Sequence, residues 1–134
     1  MAKLVNSANT IIFKDNKVFS GNTDIYGIIQ ALKTNKKLDL SNPCVIGSGA
    51  TARSALLALK NMGTKQVMLC ARNENKTLEI IELAEKLGLR VQKIDWEQIP
   101  KAMAATTVIS TLPSGAMDKF AAMGPEIPGT LLDI

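Results

Sequence analysis

The chain has 134 residues, 46% hydrophobic and 21% charged, which suits one soluble domain with an apolar core and excludes a disordered segment. Aromatics are only 4% of it, so that core must be aliphatic. The formal charge of +4 is carried by scattered basic residues, with Lys36-Lys37 as the only run. No basic stripe interleaved with aromatics is present, so the charge favours anionic small molecules over nucleic acid. There is no histidine, which excludes a His-ligated metal and leaves proton transfer to Lys, Asp, Glu or Tyr. Cys44 and Cys70 lie in apolar runs without a CxxC pair, so no metal site is expected. Free buried thiols suit a cytoplasmic location. No signal peptide and no apolar stretch of membrane-spanning length is seen, so no membrane association is expected.

Residues 7–13 and 18–20 are β-prone around the polar Lys14, Asp15, Asn16 and Lys17, which predicts a hairpin. Gly21, Asn22, Thr23 and Asp24 break that pattern. A helix follows over residues 26–33, capped by Thr23 or Asp24. The polar stretch 34–43 marks a boundary between a short unit, 1–39, and a larger one, 40–134.

Beyond it the pattern changes. Residues 44–46 form a short buried strand that runs into Gly47, Ser48 and Gly49. Ala52, Ala55, Leu56 and Leu59 then recur at the spacing of one helix face over residues 50–62, and Gly63 ends the helix. Residues 66–71 make a second strand. A helix over 75–87 points Ile80, Leu83 and Leu87 inward and Glu79, Glu82 and Lys86 outward. A third strand begins at Leu89, a short helix with Pro100 covers 95–104, and a fourth strand covers 107–110. A turn at 113–115, a helix at 118–123 and a strand at 130–134 complete the chain. Helices between strands require a parallel sheet, and the continuously apolar strands require cover on both faces. The fold class is therefore α/β: a doubly wound, Rossmann-type parallel sheet preceded by a hairpin and a linking helix. A further strand and helix normally cover the edge of such a sheet, so the domain reads as cut short at its last strand.

Gly47, Ser48, Gly49, Ala50, Thr51 and Ala52 fit G-x-G-x-x-A between a strand and a helix. The first glycine permits the sharp turn, the second lets a pyrophosphate approach the backbone, and Ala52 allows close packing of helix on strand. Phosphates then rest on the free N–H groups and positive end of the following helix. A dinucleotide is the expected ligand. Its type is decided at the end of the second strand, where NAD proteins place a carboxylate for the ribose hydroxyls. Here Arg72 and Asn73 stand there, with Lys76 one turn later. Two cations and no carboxylate predict NADP, its 2′-phosphate held by charge-assisted hydrogen bonds. Ser110, Leu112 and Pro113 close the fourth strand at the carboxyl edge of the sheet, where they are expected to line the nicotinamide ribose site. Thr51 and Arg53 could reach the pyrophosphate or face solvent. Trp96 and Tyr26 read as packing residues, and Met62, Met68 and Met103 as core.

Several segments together resemble the shikimate dehydrogenase family. Ser7-Ala8-Asn9-Thr10 is similar to its A-V-N-T strand, and Asn22-Thr23-Asp24 to the N-T-D that opens its linking helix. The glycine turn matches, Ala71-Arg72-Asn73-Glu74-Asn75-Lys76 resembles its cofactor loop, and Ser110-Thr111-Leu112-Pro113 its N-T-T-P. Ile25, Ala71, Ser110 and Ala116 depart from the family's usual Gly, Asn, Asn and Met. The resemblance implies reversible hydride transfer between NADPH and 3-dehydroshikimate. Asn9 would bind the substrate's ring hydroxyls, and Asp24 would pair with an acid/base lysine. That lysine cannot be placed, since Lys3 precedes Asn9 by too little and reads as part of the strand. The chain is thus expected to bind NADP and turn over almost nothing alone. A non-catalytic or degenerate NADP-binding module, or another NADP-dependent dehydrogenase with a similar domain, would share the glycine turn.

Overall fold

The computed structural model describes residues 2–122 and 129–134. A short helix α1 (Ala2–Val5) leads into strands β1 (Thr10–Lys14) and β2 (Lys17–Gly21), then helix α2 (Asp24–Lys33). Strands and helices alternate after that: β3 (Pro43–Ile46), α3 (Ala50–Asn61), β4 (Gln66–Cys70), α4 (Glu74–Lys86) and β5 (Arg90–Ile94). A 3-10 turn (Trp96–Gln98), α5 (Ile99–Met103), β6 (Thr107–Ser110), α6 (Asp118–Ala121) and β7 (Thr130–Asp133) follow.

Strands β3 to β7 form one parallel sheet in the order β5-β4-β3-β6-β7. The chain winds outward from β3 through β4 and β5, then crosses to the other side for β6 and β7. The switch point therefore lies between the carboxyl ends of β3 and β6. Because side chains alternate along a strand, the sheet feeds two cores. Val45, Val67, Leu69 and Ile109 face α3 and α4, while Cys44, Ile46, Met68, Cys70 and Val108 face α5 and α6. Both β3 and β6 are buried along their whole length, as a doubly covered sheet demands.

Helix α3 is buried well beyond its expected stripe. Ala52, Ala55, Leu56 and Leu59 are in the core, and so are Ser54, Leu57 and Ala58. The added cover comes from α1 and α2, which pack on α3 through Val5, Ile25, Ile28 and Leu32. Ile25, a departure from the family pattern, is thus a core residue.

The hairpin differs in detail from its expected extent. Asp15 and Asn16 both adopt positive φ, at 49° and 57°, making a two-residue turn, and Lys14 and Lys17 pair across it. Residues 7–9 lie outside β1, because the Asn9 side chain is taken up by the start of α2. Lys3 sits in α1 and not in a strand. On α4 the buried line is Thr77, Ile80 and Ala84, with Leu83 only half-buried, since close packing of helix on sheet selects the smaller side chain. Pro100 at the start of α5 divides the expected 95–104 helix into a 3-10 turn and one α-helical turn. Met62 is half-buried while Met68 and Met103 are buried. Tyr26 is 68% exposed and packs little. Met123, the expected end of α6, lies outside the described residues. No helix among the described residues is long and apolar enough to cross a membrane.

Candidate functional site

An open cleft of about 570 Å³ lies at the switch point, lined by Gly47, Ser48, Gly49, Ala71, Arg72, Asn73, Lys76, Thr111, Leu112 and Pro113. Its volume falls within the range of small-ligand sites. A smaller cavity of about 150 Å³ sits at the opposite edge of the sheet, among Asn42, Gln66, Met68, Arg90 and Gln92.

The glycine turn is fastened from both sides. Gly47 N–H donates to the Cys70 carbonyl at 2.8 Å, and Thr111 donates to the Ile46 carbonyl through its N–H and its hydroxyl, each at 2.9 Å. Gly47 has φ +121°, and a Cβ there would stand 2.2 Å from Thr111 Oγ1, so no other residue fits. At Gly49 the reason is different. Its φ of −86° suits any residue, but a Cβ would point into open space in the cleft, the room that a pyrophosphate would need. Gly49 also caps α3 without any side-chain hydrogen bond, so the first backbone N–H groups of α3 lack an acceptor from that quarter. Ala52 is fully buried where α3 meets the sheet, Ala50 is exposed and Thr51 half-buried. Arg53 reaches α4, donating to Glu79 Oε2 at 2.9 Å.

At the end of β4, Asn73 serves as the N-cap of α4, its side chain accepting from Lys76 N at 3.0 Å. Arg72 and Lys76 are exposed, line the cleft, and have no carboxylate partner among the described residues. The nearby Lys93 is occupied by Glu74, which holds its ammonium above the ordinary lysine range. Among the described residues no carboxylate lines the cleft itself. A phosphate group is therefore met by two unneutralised cations and by free amides, and the site fits an anionic dinucleotide.

Ser110 is buried within β6, opposite Ile46, and Leu112 and Pro113 reach the cleft wall. Thr111 and Ala71, which belong to the motifs above but are not among the expected cofactor contacts, also line the cleft. Thr111 could have been found from its place between two residues already singled out, one step past the strand.

Asn9 and Asp24 lie together. Asn9 Nδ2 donates to Asp24 Oδ1 at 2.5 Å, while Asn9 Oδ1 accepts from Thr23 N at 3.0 Å. Asp24 does not cap α2: Thr23 holds the cap position without a side-chain bond, and Asp24 N donates to Asn22 Oδ1. Its carboxylate therefore keeps acceptor capacity for a further donor. Asn22 joins this pair to the glycine turn, because its Nδ2 donates to the Ser54 hydroxyl in the first turns of α3 at 2.9 Å.

A Rossmann-type sheet with a phosphate-ready glycine turn at its switch point defines the class: an α/β nucleotide-binding fold. The relatives narrow it. No family model matches the chain. The NADP-dependent shikimate dehydrogenase of Roseobacter denitrificans is 30% identical over 135 residues, spanning 97% of this chain and 46% of that enzyme. The corresponding enzyme of Dictyoglomus thermophilum is 31% identical over 86% of the chain and 42% of its own length. Among solved structures, Mycobacterium tuberculosis shikimate dehydrogenase superposes with a TM-score of 0.84 at 30% identity, covering 98% of this chain and 50% of that one. Shikimate 5-dehydrogenase from Thermus thermophilus, determined in complex with NADP(H) and shikimate, gives 0.73 at 26% identity. The chain is a relative of the shikimate dehydrogenases along nearly its whole length, and it spans a little under half the length of the curated relatives it matches.

Proposed function

We propose that this chain carries the NADP site of a shikimate dehydrogenase-type oxidoreductase, with residues 1–39 belonging to the substrate domain and 40–134 to the nucleotide-binding domain. The observation that carries the reading is the pair of unneutralised cations, Arg72 and Lys76, where an NAD protein needs a carboxylate. Bound NADPH would supply a hydride from the nicotinamide ring to the ring ketone of 3-dehydroshikimate, and NADP would take it back from shikimate. Gly47 to Ala52 and the amino end of α3 hold the pyrophosphate. Arg72 and Lys76 hold the 2′-phosphate, with Asn73 fixing the loop between them. Leu112 and Pro113, with Ser110 behind them, shape the nicotinamide ribose end.

Asn9 takes the substrate's ring hydroxyls. Asp24, held in place by Asn9, orients the acid/base lysine that protonates the carbonyl oxygen. The relatives' names and the Thermus thermophilus complex support this reading of ligand and substrate. The free thiols of Cys44 and Cys70 fit a cytoplasmic setting.

Calorimetric titration of the chain with NADP, then NAD, then shikimate is the direct test. NADP should bind more tightly than NAD, and the chain alone should give almost no turnover. Arg72→Ala should cost roughly 1.5–3 kcal/mol of NADP affinity and leave NAD nearly untouched. Equal losses for the two cofactors would remove the 2′-phosphate assignment.

A further inference from the structure

Arg72 lines the cleft and Trp96 does not, yet the guanidinium carbon of Arg72 stands 5.6 Å from the centre of the Trp96 ring. The contact is a product of topology. Cys70 and Ile94 are register partners near the ends of β4 and β5, so the residues just beyond those strands leave the sheet side by side. The indole is in turn fixed by Phe120 of α6, ring centres 5.4 Å apart and planes at 85°, an edge-to-face contact. Phe120 itself is buried, which anchors the stack in the core on the α5 and α6 face of the sheet. Arg72 thus presents its charge to the cleft on one side and leans on a clamped aromatic ring on the other.

An exposed arginine is a long side chain with many rotamers, and a ligand that must order it loses affinity in doing so. Attraction between the guanidinium and the ring face orders it beforehand. We propose that Trp96 is a positioning residue for Arg72, holding the guanidinium where it meets a phosphate monoester on the adenosine ribose and so sharpening selection for that ligand over one lacking the phosphate. The inference rests on the reading of Arg72 given above.

The test compares NADP and NAD binding by calorimetry in Trp96→Leu, Trp96→Phe, Arg72→Ala and the double variant Arg72→Ala with Trp96→Leu. Trp96→Leu keeps an apolar side chain but no ring. It should weaken NADP by roughly two- to fivefold and change NAD by less, with Phe restoring most of the loss. In the Arg72→Ala background, Trp96→Leu should have no further effect on NADP. Equal losses of NADP and NAD in Trp96→Leu would mean a purely structural ring and overturn the proposal. A normal NADP preference in Trp96→Leu, with that preference lost in Arg72→Ala, would overturn it and leave the cofactor reading standing. An unchanged preference in Arg72→Ala would overturn both. A separate measurement does not depend on any Trp96 variant folding. Trp96 is the only tryptophan, so Arg72→Ala must alter the emission of the protein, and an unchanged spectrum overturns the contact.

Discussion

The five-stranded sheet and the β1–β2 hairpin are made of similar residues placed in opposite surroundings. Ile46, Val45 and Ile109 of the sheet are fully buried, whereas Ile11, Ile12, Phe13, Val18 and Phe19 of the hairpin are all more than half exposed. Register pairing sets Ile11, Phe13 and Val18 on one face of the hairpin and Ile12 and Phe19 on the other, so neither face finds a core. A two-stranded ribbon of this kind is marginal by itself. What holds it is its turn and its base, where Asn9 and Asn22 tie it to α2 and α3. The cleft at the glycine turn therefore stands on the buried sheet, while Asn9 and Asp24 stand where the hairpin joins it.

Paired substitutions should break that comparison most visibly. Leu56→Ala removes a fully buried side chain from α3 and should cost roughly 3–4 kcal/mol in urea denaturation. Phe13→Ala, at a site 78% exposed, should cost under about 0.5 kcal/mol. Comparable losses at the two sites would mean that the hairpin shares the core of the sheet.

Gly47→Ala comes next, because strain at positive φ and a clash with Thr111 combine in one place. A loss of about 2–3 kcal/mol is expected, together with loss of dinucleotide binding. Gly49→Ala separates the two effects: its Cβ meets nothing in the protein, so stability should hold while binding falls. If Gly49→Ala bound NADP as well as the parent chain, the pyrophosphate would not lie against that turn.

The sheet and its helices were legible because their signals are local and periodic: apolar runs of strand length, helical spacing in α3, glycines at Gly63 and Gly88. The cleft was legible for the same reason, since Gly47 to Ala52 is one contiguous motif and Arg72 sits at a countable distance beyond it. What escaped was set by contacts distant in sequence. A four-residue helix such as α1 has too few turns to show a period, and Val5 is core only because α3 lies beneath it. The inward face of α4 is chosen by the closeness of the sheet, which takes Ala84 where apolarity alone favours Leu83. The meeting of Arg72 with Trp96 depends on strand order, which no local pattern states.

A milder prediction concerns the join. Asn22→Ala removes donors to Ser7 and Ser54 and an acceptor for Asp24 N, and Ser54 keeps only its bond to the Ala50 carbonyl at 3.3 Å. A cost of about 1–2 kcal/mol is expected. Hydrogen exchange should quicken in the hairpin and at the start of α2, with the amides of β3 and β6 unchanged. Acceleration throughout the sheet would make Asn22 a core residue and not a tie.

A last test uses the two thiols, both of which report on the sheet and neither on the hairpin. Cys44 and Cys70 are buried on adjacent strands, and burial pushes both thiols up, Cys70 to about 11 with a lesser push from Asp95. In the unfolded chain a thiol titrates near an ordinary value of about 8.5. Above that pH the unfolded state therefore binds fewer protons than the folded one, and stability falls as pH rises. The contribution of Cys70 is present in full below about 8.5 and is lost as pH rises toward about 11, with Cys44 continuing beyond it. Lys93, held above its usual range by Glu74, adds a loss of the same sign, so the parent must be compared with Cys70→Ala. The urea midpoint of the parent should fall more steeply with pH across that window. At pH 8 a thiol reagent should label the native chain only as fast as the sheet opens, and Phe13→Ala should leave that rate alone while Leu56→Ala raises it. Rapid labelling of Cys44→Ala, which keeps Cys70 alone, would show that the carboxyl end of β4 opens locally, next to the loop that presents Arg72.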